Sequence, residues 1–264
     1  MTASLVESPR ASARELPADW AATPIAVVVP TYNESGNLPT LVERVFALGL
    51  PNLRLIIVDD NSPDGTGRLA DELAEARNAE REGAMVVVHR EVKDGIGRAH
   101  MTGMREAMSR GDEYVVQMDG DLSHPPEIIP QMLGTMRATG AGLVIGSRYI
   151  PGGSVSENWN LYRRSLSRGA SIYVNAILRT RIRDTTGGFK LWHASALESI
   201  DLDKVRSTGF SFQIEMNHRA FKAGVKILEI PIHFDERLTG VSKITMKIQL
   251  EGLWVPWRLL TAKK

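Results

Sequence analysis

Two aspartates with one residue between them, Asp119 and Asp121, follow the largely apolar stretch of residues 114–118. That stretch predicts a buried β-strand, and side chains two residues apart at the end of a strand point to the same side. Two carboxylates that point in one direction repel each other unless a cation lies between them. Carboxylate oxygens of this kind suit Mg²⁺ or Mn²⁺ that also binds a diphosphate. Pairs of this spacing are common in solvated loops, so the other acidic residues of the chain decide whether this pair is functional.

Five alternations of strand and helix are predicted upstream and downstream of this pair. The predicted strands are residues 25–29, 53–58, 85–88, 114–118 and 143–146, and predicted helices separate them. Short connections between such elements imply an α/β fold with a mainly parallel sheet and helices on both faces. In such sheets ligands bind beyond the carboxyl ends of the strands. The polar residues at those ends are Glu34, Asp59, Asp60, Asp119, Asp121 and Arg148. We therefore expect these residues to converge at one edge of the sheet.

A dinucleotide-binding fold is the main alternative for a sheet of this type. Its signature is G-x-G-x-x-G directly after the first strand. This chain has PTYNE at residues 30–34 instead, and its first glycine after that strand is Gly36. Gly95 and Gly97, after the third strand, form an isolated fragment that fits a flexible loop. The sequence therefore disfavours a dehydrogenase.

Composition and charge exclude several classes of protein. The chain has 264 residues, a formal net charge of +1 and no cysteine. A balanced charge gives no reason to expect a nucleic-acid partner, and the lack of cysteine excludes disulfides and thiolate metal sites. Residues 1–22 lack an apolar core and predict a flexible leader and not a signal peptide. No run of about 18 apolar residues predicts a transmembrane helix.

The region after residue 150 contains further candidate binding groups. Residues 152–160 predict either a mobile flap or an ordinary surface loop. The following helix is predicted at residues 161–178. Arg163 and Ser167 are four positions apart and therefore share one face of it. That face is either a functional site or a solvated basic surface. Residues 184–190 predict a turn before a short strand, followed by a helix at 210–223 and a strand at 226–234.

The last segment, residues 241–264, predicts an amphipathic helix. Its apolar stripe contains Met246, Leu250, Leu253, Trp254 and Trp257, and the basic residues around it are Lys243, Lys247, Arg258, Lys263 and Lys264. Tryptophans and basic residues on an apolar helix suit a membrane interface, but the same pattern fits a helix packed on its own domain. Pro256 is expected to kink or end this helix.

Several motifs, in order, are similar to those of a known enzyme family. They are VVVPTYNE at 27–34, IIVDDNSPDGT at 56–66, MDGDLSHPPE at 118–127 and GSRY at 146–149. The chain resembles inverting glycosyltransferases of family 2, which have the nucleotide-sugar-binding GT-A fold. Over about residues 23–245 it is more narrowly similar to dolichol-phosphate and polyprenol-phosphate mannose synthases. That narrower similarity also uses NW at 158–159, Arg163, TTGGFK at 185–190, Arg237 and SK at 242–243.

The resemblance implies a role for individual residues. Those implied to bind the donor, GDP-mannose, are Pro30, Tyr32, Glu34, Val58, Asp60, Asp119, Gly120, Asp121, Arg237 and Lys243. Those implied to bind the acceptor phosphate are Arg148, Arg163 and Ser167, and the catalytic residues are Asp119, Asp121 and Arg148. The implied ligands of Mg²⁺ or Mn²⁺ are Asp119, Asp121 and Ser123. Relatives often have Gln where this chain has Ser123, so water is an alternative third ligand.

The implied reaction is transfer of mannose from GDP-mannose to a polyprenyl (dolichyl) phosphate with inversion. The implied organisation is a leader at 1–22, a GT-A catalytic domain at 23–240 and an amphipathic segment at 241–264. Since many relatives carry C-terminal transmembrane helices and none is predicted here, the resemblance implies a peripheral protein on the cytoplasmic face that uses a membrane-anchoring protein subunit. Alternatives are a glucosyltransferase that uses UDP-glucose and a non-catalytic nucleotide-binding module. A processive polysaccharide synthase is disfavoured, because the chain lacks a Q-x-x-R-W segment. The histidines show no metal-ligand spacing, and we assign none of them a role.

Overall fold

The computed structural model describes residues 16–157, 159, 161–209, 211–236 and 246–261, except for the side chains of 161–163 and 246–251. The helices are α1 (Ala18–Ala21), α2 (Leu38–Phe46), α3 (Thr66–Glu80), α4 (Ile96–Ser109), α5 (Ile129–Thr139), α6 (Leu161–Leu178), α7 (Ala194–Ile200), α8 (Ser211–Lys222) and α9 (Met246–Thr261). The strands are β1 (Ile25–Thr31), β2 (Leu53–Asp59), β3 (Met85–His89), β4 (Tyr114–Gln117), β5 (Leu143–Ser147), β6 (Ser154–Val155), β7 (Lys190–His193), β8 (Ile227–Pro231) and β9 (His233–Phe234).

A seven-stranded sheet in the order β3-β2-β1-β4-β7-β5-β8 forms the centre of the protein. All neighbouring pairs are parallel except those of β7, which runs antiparallel to both β4 and β5. The prediction of a mainly parallel sheet is confirmed. Strand β7 was expected near residues 191–192, but its insertion between β4 and β5 was not predicted, because a four-residue strand carries no information about its partners.

Helices cover both faces of the sheet, as predicted. Successive residues of β1 alternate between two apolar cores: Val27 and Val29 face one, and Ala26 and Val28 face the other. The first core is completed by α2, α3 and α5, and the second by α4, α7 and α8. Because both faces are covered, β1 and β2 are mainly apolar on both sides, and this is why they were predictable from sequence.

The amino-terminal end of the described chain is folded, unlike the flexible leader predicted for residues 1–22. Helix α1 packs against α5. The guanidinium of Arg137 lies 5.6 Å from the centroid of the Trp20 ring, and Leu16 packs against the first core. Trp20 gives this short helix a cation–π contact with Arg137 that composition alone did not reveal. Residues 1–15 lie outside the described part of the chain.

Helix α9 packs against α6 and α8 through a third apolar cluster. Its members are Val174, Leu178, Ile214, Val255 and Leu259. Pro256 lies inside α9, which continues to Thr261, so of the two predicted alternatives Pro256 does not end the helix, and a kink there stays a prediction. In the described chain no helix has the length and apolarity needed to cross a membrane.

Glu215 of α8 fixes α9 in place through a buried polar contact. Its carboxylate accepts hydrogen bonds from the Ser207 hydroxyl (2.6 Å) and from Arg219 Nε (3.0 Å), and Arg258 of α9 donates to it at 3.3 Å. Burial alone would raise the pKa of Glu215, but these hydrogen bonds, with the Ser207 hydroxyl first, outweigh it and lower the pKa. The guanidinium of Arg258 therefore contacts Glu215 and is not directed entirely into solvent.

A small two-stranded sheet, β6 with β9, lies beside the main one. Trp159 is buried there, and its ring lies 5.4 Å from that of Phe234 in a T-shaped contact. Val155 completes this aromatic cluster. The region predicted as a flap or a surface loop thus contributes a buried tryptophan close to the carboxyl edge of the sheet.

Candidate active site

The carboxyl ends of β1, β2 and β4 meet at one edge, where those predicted donor-binding residues that the structure describes lie. Thr31 pairs with Asp59 across β1 and β2, and Val28 pairs with Gln117 across β1 and β4. A Cβ on Gly120 would lie only 3.3 Å from the carbonyl oxygen of Pro30, so the turn after β4 touches the end of β1. The part of the predicted convergence that involves β1, β2 and β4 is therefore present.

The loops that follow β1 and β2 are tied together by hydrogen bonds. The backbone amide of Asn33 donates to the Ser62 hydroxyl (3.1 Å), and that of Glu34 donates to the Thr66 hydroxyl (2.9 Å). Ser35 continues the series, since its amide donates to a carboxylate oxygen of Asp64 at 3.2 Å. The two loops thus form one preformed wall, on which Tyr32, Glu34 and Asp60 are the predicted nucleoside contacts.

Two basic residues at the end of β3 complete that wall, and the sequence analysis missed both. Arg90 forms an ion pair with Asp60, and Lys93 Nζ lies 3.2 Å from the centroid of the Tyr32 ring. Burial raises the pKa of Asp60, and Arg90 opposes that effect. No spacing rule links residue 60 to residue 90, so only the parallel pairing of β2 with β3 reveals their contact.

The turn after β4 has two internal hydrogen bonds that hold Asp121. One Asp121 oxygen, Oδ1, accepts from both the amide (3.1 Å) and the hydroxyl (2.5 Å) of Ser123. Leu122, between them, has a φ of 62°, a conformation that costs of order 1 kcal/mol or more in a residue with a Cβ. A turn that keeps such a residue points to a function for the carboxylates that it presents.

The His124 side chain stabilises the same turn through a contact with Asp119. Its Nδ1 accepts a hydrogen bond from the amide of Asp119 at 3.2 Å, and its ring stacks on Phe189 with centroids 5.3 Å apart. Because Nδ1 accepts, the ring is neutral with its proton on Nε2. Burial lowers the pKa of His124 and favours this neutral form, although the charge of Asp119 opposes the shift. The role of His124 is to position the turn, and the sequence offered no sign of it.

The acidic turn fits a divalent cation that is also held by a diphosphate. The Asp119 side chain is 22% exposed, whereas Asp121 is buried. Nowhere in the described chain do three or more His, Cys, Asp or Glu side chains group as metal ligands. Two carboxylates plus substrate oxygens are a usual arrangement for Mg²⁺, which keeps several non-protein ligands. The hydroxyl of Ser123 already donates to Asp121, so coordination by Ser123 stays a prediction.

Arg148 is held in a bidentate ion pair that was not predicted. Its Nε and Nη2 donate to the two carboxylate oxygens of Asp184, each at 2.7 Å, and Nη2 also donates to the Thr186 hydroxyl at 2.9 Å. Burial alone would lower the pKa of Arg148 and raise that of Asp184. The attraction between the two charges outweighs burial, so the pKa of Arg148 is raised and that of Asp184 is lowered. Arg148 is thus anchored, and its acceptor-binding role stays a prediction.

The other predicted acceptor-binding residues lie partly beside Arg148. The Ser167 hydroxyl is 3.5 Å from that of Thr186, which brings Arg148, Thr186 and Ser167 into one polar cluster. Arg163 belongs to α6, but its side chain lies outside the described residues, as do Arg237 and Lys243 entirely. Their predicted roles therefore have no structural account.

A fully buried lysine lies on β7, beside the strand that leads to the acidic turn. Lys190 Nζ donates to Gln213 Oε1 at 2.6 Å, and the same oxygen accepts from Gln117 Nε2 at 2.7 Å. Burial lowers the pKa of Lys190 to about 7, against the opposing attraction of Asp184 and Asp119. Lys190 lies one strand away from Gln117, in register with it across β4 and β7.

The buried lysine predicts how stability depends on pH. With a pKa near 10.5 when unfolded and about 7 when folded, the unfolded chain binds more protons between these values, so stability rises with pH there. We expect Lys190→Met to remove a rise of up to about 1.4 kcal/mol per pH unit. Urea unfolding at pH 7, 8 and 9 measures it. If the unmodified chain and the variant show parallel pH profiles, Lys190 is charged in the folded protein.

Sequence comparisons place the chain among known glycosyltransferases. Residues 26–201 match the model of glycosyl transferase family 2. The chain is 45% identical to the polyprenol monophosphomannose synthase of Mycolicibacterium smegmatis, over 83% of this chain and 80% of that protein. It is 39% identical to the undecaprenyl-phosphate mannosyltransferase of Micrococcus luteus, over 90% of this chain and 98% of that protein.

Solved structures agree with the fold. Glucosyl-3-phosphoglycerate synthase from Mycobacterium tuberculosis, in complex with Mn²⁺, UDP and phosphoglyceric acid, superposes with a TM-score of 0.68 at 18% identity. The superposition covers 98% of this chain and 86% of that one. A further mycobacterial protein gives a TM-score of 0.69 at 19% identity, covering 98% and 82%. The predicted GT-A fold is confirmed.

Proposed function

Because this chain belongs to glycosyltransferase family 2, we propose that it transfers mannose from GDP-mannose to a polyprenyl phosphate with inversion at the anomeric carbon. The names of the two mannosyltransferase relatives support the sugar and the lipid class of the acceptor. The observation that carries the proposal is the proximity of the acidic turn to the Arg148 cluster. A Cβ on Gly188 would lie 3.3 Å from Asp119 Oδ2, so the backbone at Gly188 is close to the acidic turn. Gly188 is two residues after Thr186, whose hydroxyl accepts a hydrogen bond from Arg148.

The donor would bind at the wall formed by the first two loops. The nucleoside would lie against Pro30, Tyr32, Glu34, Val58 and Asp60, and the diphosphate at Asp119, Gly120 and Asp121. Arg237 and Lys243 keep their proposed role at the donor phosphates. Since hydrogen bonds already join the two loops, binding requires little ordering of the backbone there.

A divalent cation, Mg²⁺ or Mn²⁺, would be held by Asp119 and Asp121, with Ser123 or water beside them, and would stabilise the charge that develops on the leaving diphosphate. The task of the two aspartates is to place that cation. No general base is needed, because the acceptor phosphate has a second pKa of about 6 and is largely dianionic at neutral pH. The protein then has to align one phosphate oxygen with the anomeric carbon, opposite the leaving group.

The acceptor phosphate would bind at the polar cluster of Arg148, Thr186 and Ser167, and Arg163 keeps its proposed role as a further contact. Nη1 of Arg148 makes no hydrogen bond to any described residue, whereas Nε and Nη2 are held by Asp184. An arginine anchored on one side presents its other side with little loss of side-chain entropy. Asp184 thus orients the guanidinium that we assign to the acceptor.

The exposed face of α9 is our proposed contact with the membrane that contains the acceptor lipid. Leu253, Trp254, Trp257 and Leu260 lie on one face of the helix, and Trp254 is 75% exposed. The indole N–H of Trp257 donates to Tyr173 at 2.9 Å, so its ring is held in a fixed orientation. Tryptophan and leucine on one helix face suit the headgroup boundary of a bilayer. We further propose a peripheral position on the cytoplasmic face and a membrane-anchoring protein subunit as a partner.

Loss of the most exposed tryptophan is expected to weaken membrane binding. Trp254→Ser removes the apolar surface of one large side chain, about 1.5–3 kcal/mol of transfer free energy, so vesicle affinity should fall at least about tenfold. Sedimentation with phospholipid vesicles measures it. The matched control is Trp20→Ser on α1, which packs on the other face of the sheet and should leave affinity unchanged. Equal binding by the Trp254 variant would exclude this face as the contact.

Transfer of labelled mannose into an organic extract tests the proposed function. The protein is incubated with GDP-[labelled mannose], a polyprenyl phosphate and Mg²⁺ or Mn²⁺, with UDP-[labelled glucose] in a parallel reaction. We expect label in the lipid fraction from GDP-mannose, dependent on the metal. Label from UDP-glucose alone would make the chain a glucosyltransferase, and binding of either donor with no transfer would make it a nucleotide-binding module.

A further inference from the structure

His100 is a buried histidine whose ring nitrogens lack partners. Its side chain has no exposed surface, and neither Nδ1 nor Nε2 hydrogen-bonds to any described residue. Its Nε2 lies 3.7 Å from Oδ1 of Asp119. That separation is slightly too long for a hydrogen bond. A buried polar group without a partner costs about 1–3 kcal/mol, so a structural role alone gives no reason to keep a histidine here.

Helix α4 holds His100 at this distance. Gly97 and Gly103 lie on the same face of the helix as His100, toward the sheet and α8. A Cβ on Gly97 would lie 2.8 Å from Cγ of Phe212, and one on Gly103 would lie 2.3 Å from Cγ1 of Val28. The imidazole also stacks on Phe212, with ring planes 5° apart. The close packing of α4 against the sheet and α8, together with the stack on Phe212, keeps the imidazole beside Asp119.

Other groups restrict Asp119 from its remaining sides. The amide of Asp119 donates to His124, which fixes the backbone, and Gly188 lies next to the carboxylate. A small movement of the carboxylate toward α4 would therefore bring one oxygen within hydrogen-bonding distance of Nε2–H. The second oxygen would then be oriented toward the diphosphate site. Partners of this kind that orient a ligating carboxylate typically change metal affinity 10- to 100-fold.

We propose that His100 is a positioning residue, which donates Nε2–H to Asp119 and so orients this carboxylate toward the divalent cation. The proposal rests on the function proposed above, since it assumes that Asp119 binds the cation with the donor diphosphate. His100 acts as a hydrogen-bond donor, and no proton transfer is involved. It would not touch the sugar or either phosphate.

Binding of Mn²⁺ in the presence of GDP tests the proposal without turnover. Electron paramagnetic resonance gives the Mn²⁺ dissociation constant for the unmodified protein and for His100→Phe, which removes the donor. We expect a 10- to 100-fold weaker affinity in the variant. His100→Asn retains an N–H donor and should recover part of the affinity. His100→Leu, which is smaller, gives the same comparison if the Phe variant does not fold.

A second buried histidine provides a matched control. His218 on α8 is also buried with an unpaired Nδ1, but it faces α9 and not the acidic turn. His218→Phe should leave the Mn²⁺ affinity unchanged. Unchanged affinity in both His100→Phe and His100→Leu, with normal binding by the unmodified protein, would overturn the role of His100. Absence of Mn²⁺–GDP binding in the unmodified protein would instead overturn the proposed function, and this proposal with it.

Discussion

Asp121→Ala is expected to lower kcat/KM for mannosyl transfer by at least about 1,000-fold while the protein remains folded. In our proposal Asp121 places the cation that stabilises the leaving diphosphate, and loss of such charge stabilisation costs roughly 4 kcal/mol or more of barrier. The fold should survive, because Asp121 lies in a turn, where the substitution removes its hydrogen bonds to Ser123. Steady-state transfer assays with varied Mn²⁺, together with thermal unfolding, measure both effects.

Two control variants make this result specific. Ser123→Ala keeps the carboxylate but removes the 2.5 Å hydrogen bond, so we expect an intermediate loss, of order tenfold, with weaker Mn²⁺ affinity. Asp203→Ala removes an exposed carboxylate that pairs with Arg105, and it should leave transfer unchanged. If Asp121→Ala retains activity at saturating Mn²⁺, the cation is held elsewhere and the assignment of the acidic turn is incorrect.

Arg148→Lys is expected to lose both stability and acceptor binding, although it preserves the charge. Lysine cannot reproduce two parallel N–H donors to Asp184 and a third to Thr186, and Asp184 is fully buried. Breaking a buried pair costs roughly 3–5 kcal/mol when one partner is left uncompensated. Since lysine retains one charge contact, we expect a loss near the lower end of that range, and KM for the acceptor should rise. Urea unfolding and acceptor-dependent kinetics measure these effects.

A double variant separates the structural role of Arg148 from its proposed role in binding. Arg148→Met with Asp184→Leu removes both charges, and well-packed apolar replacements of buried pairs are often close to neutral in stability. We expect stability to recover in the double variant but activity to stay low, because no guanidinium remains for the acceptor. Recovery of normal acceptor kinetics together with stability would mean that Arg148 only supports the fold.

The strands and the acidic turn could be predicted from sequence because their signals are local. Strand β1 begins with the apolar run of residues 25–29, β2 contains that of residues 55–58, and Asp119 follows the largely apolar residues 114–118. The partners of these residues could not be predicted, because they come from distant elements. Asp184 is 36 positions from Arg148, and His100 approaches Asp119 only because α4 packs against the sheet. No periodicity in the chain encodes those contacts.

The same limit applies to α9, whose packing partners could not be predicted from its sequence. Its tryptophans were recognised as an amphipathic pattern, yet the sequence left open whether the helix faces a membrane or its own domain. In the structure it packs on the domain through Val255 and Leu259 and still exposes Trp254 and Trp257. The two alternatives were therefore not exclusive, because one helix has two faces.

The Glu215–Arg258 contact has a practical consequence for anyone who shortens this chain to improve expression or crystallisation. Ending it before residue 246 would remove Arg258 from a carboxylate that is 1% exposed, and would uncover Val174, Leu178 and Ile214. The shortened protein would have a newly exposed apolar surface on α6 and α8 in place of the exposed apolar face of α9 that was removed. Replacing the outward tryptophans one by one is the safer route to a protein that handles well without detergent.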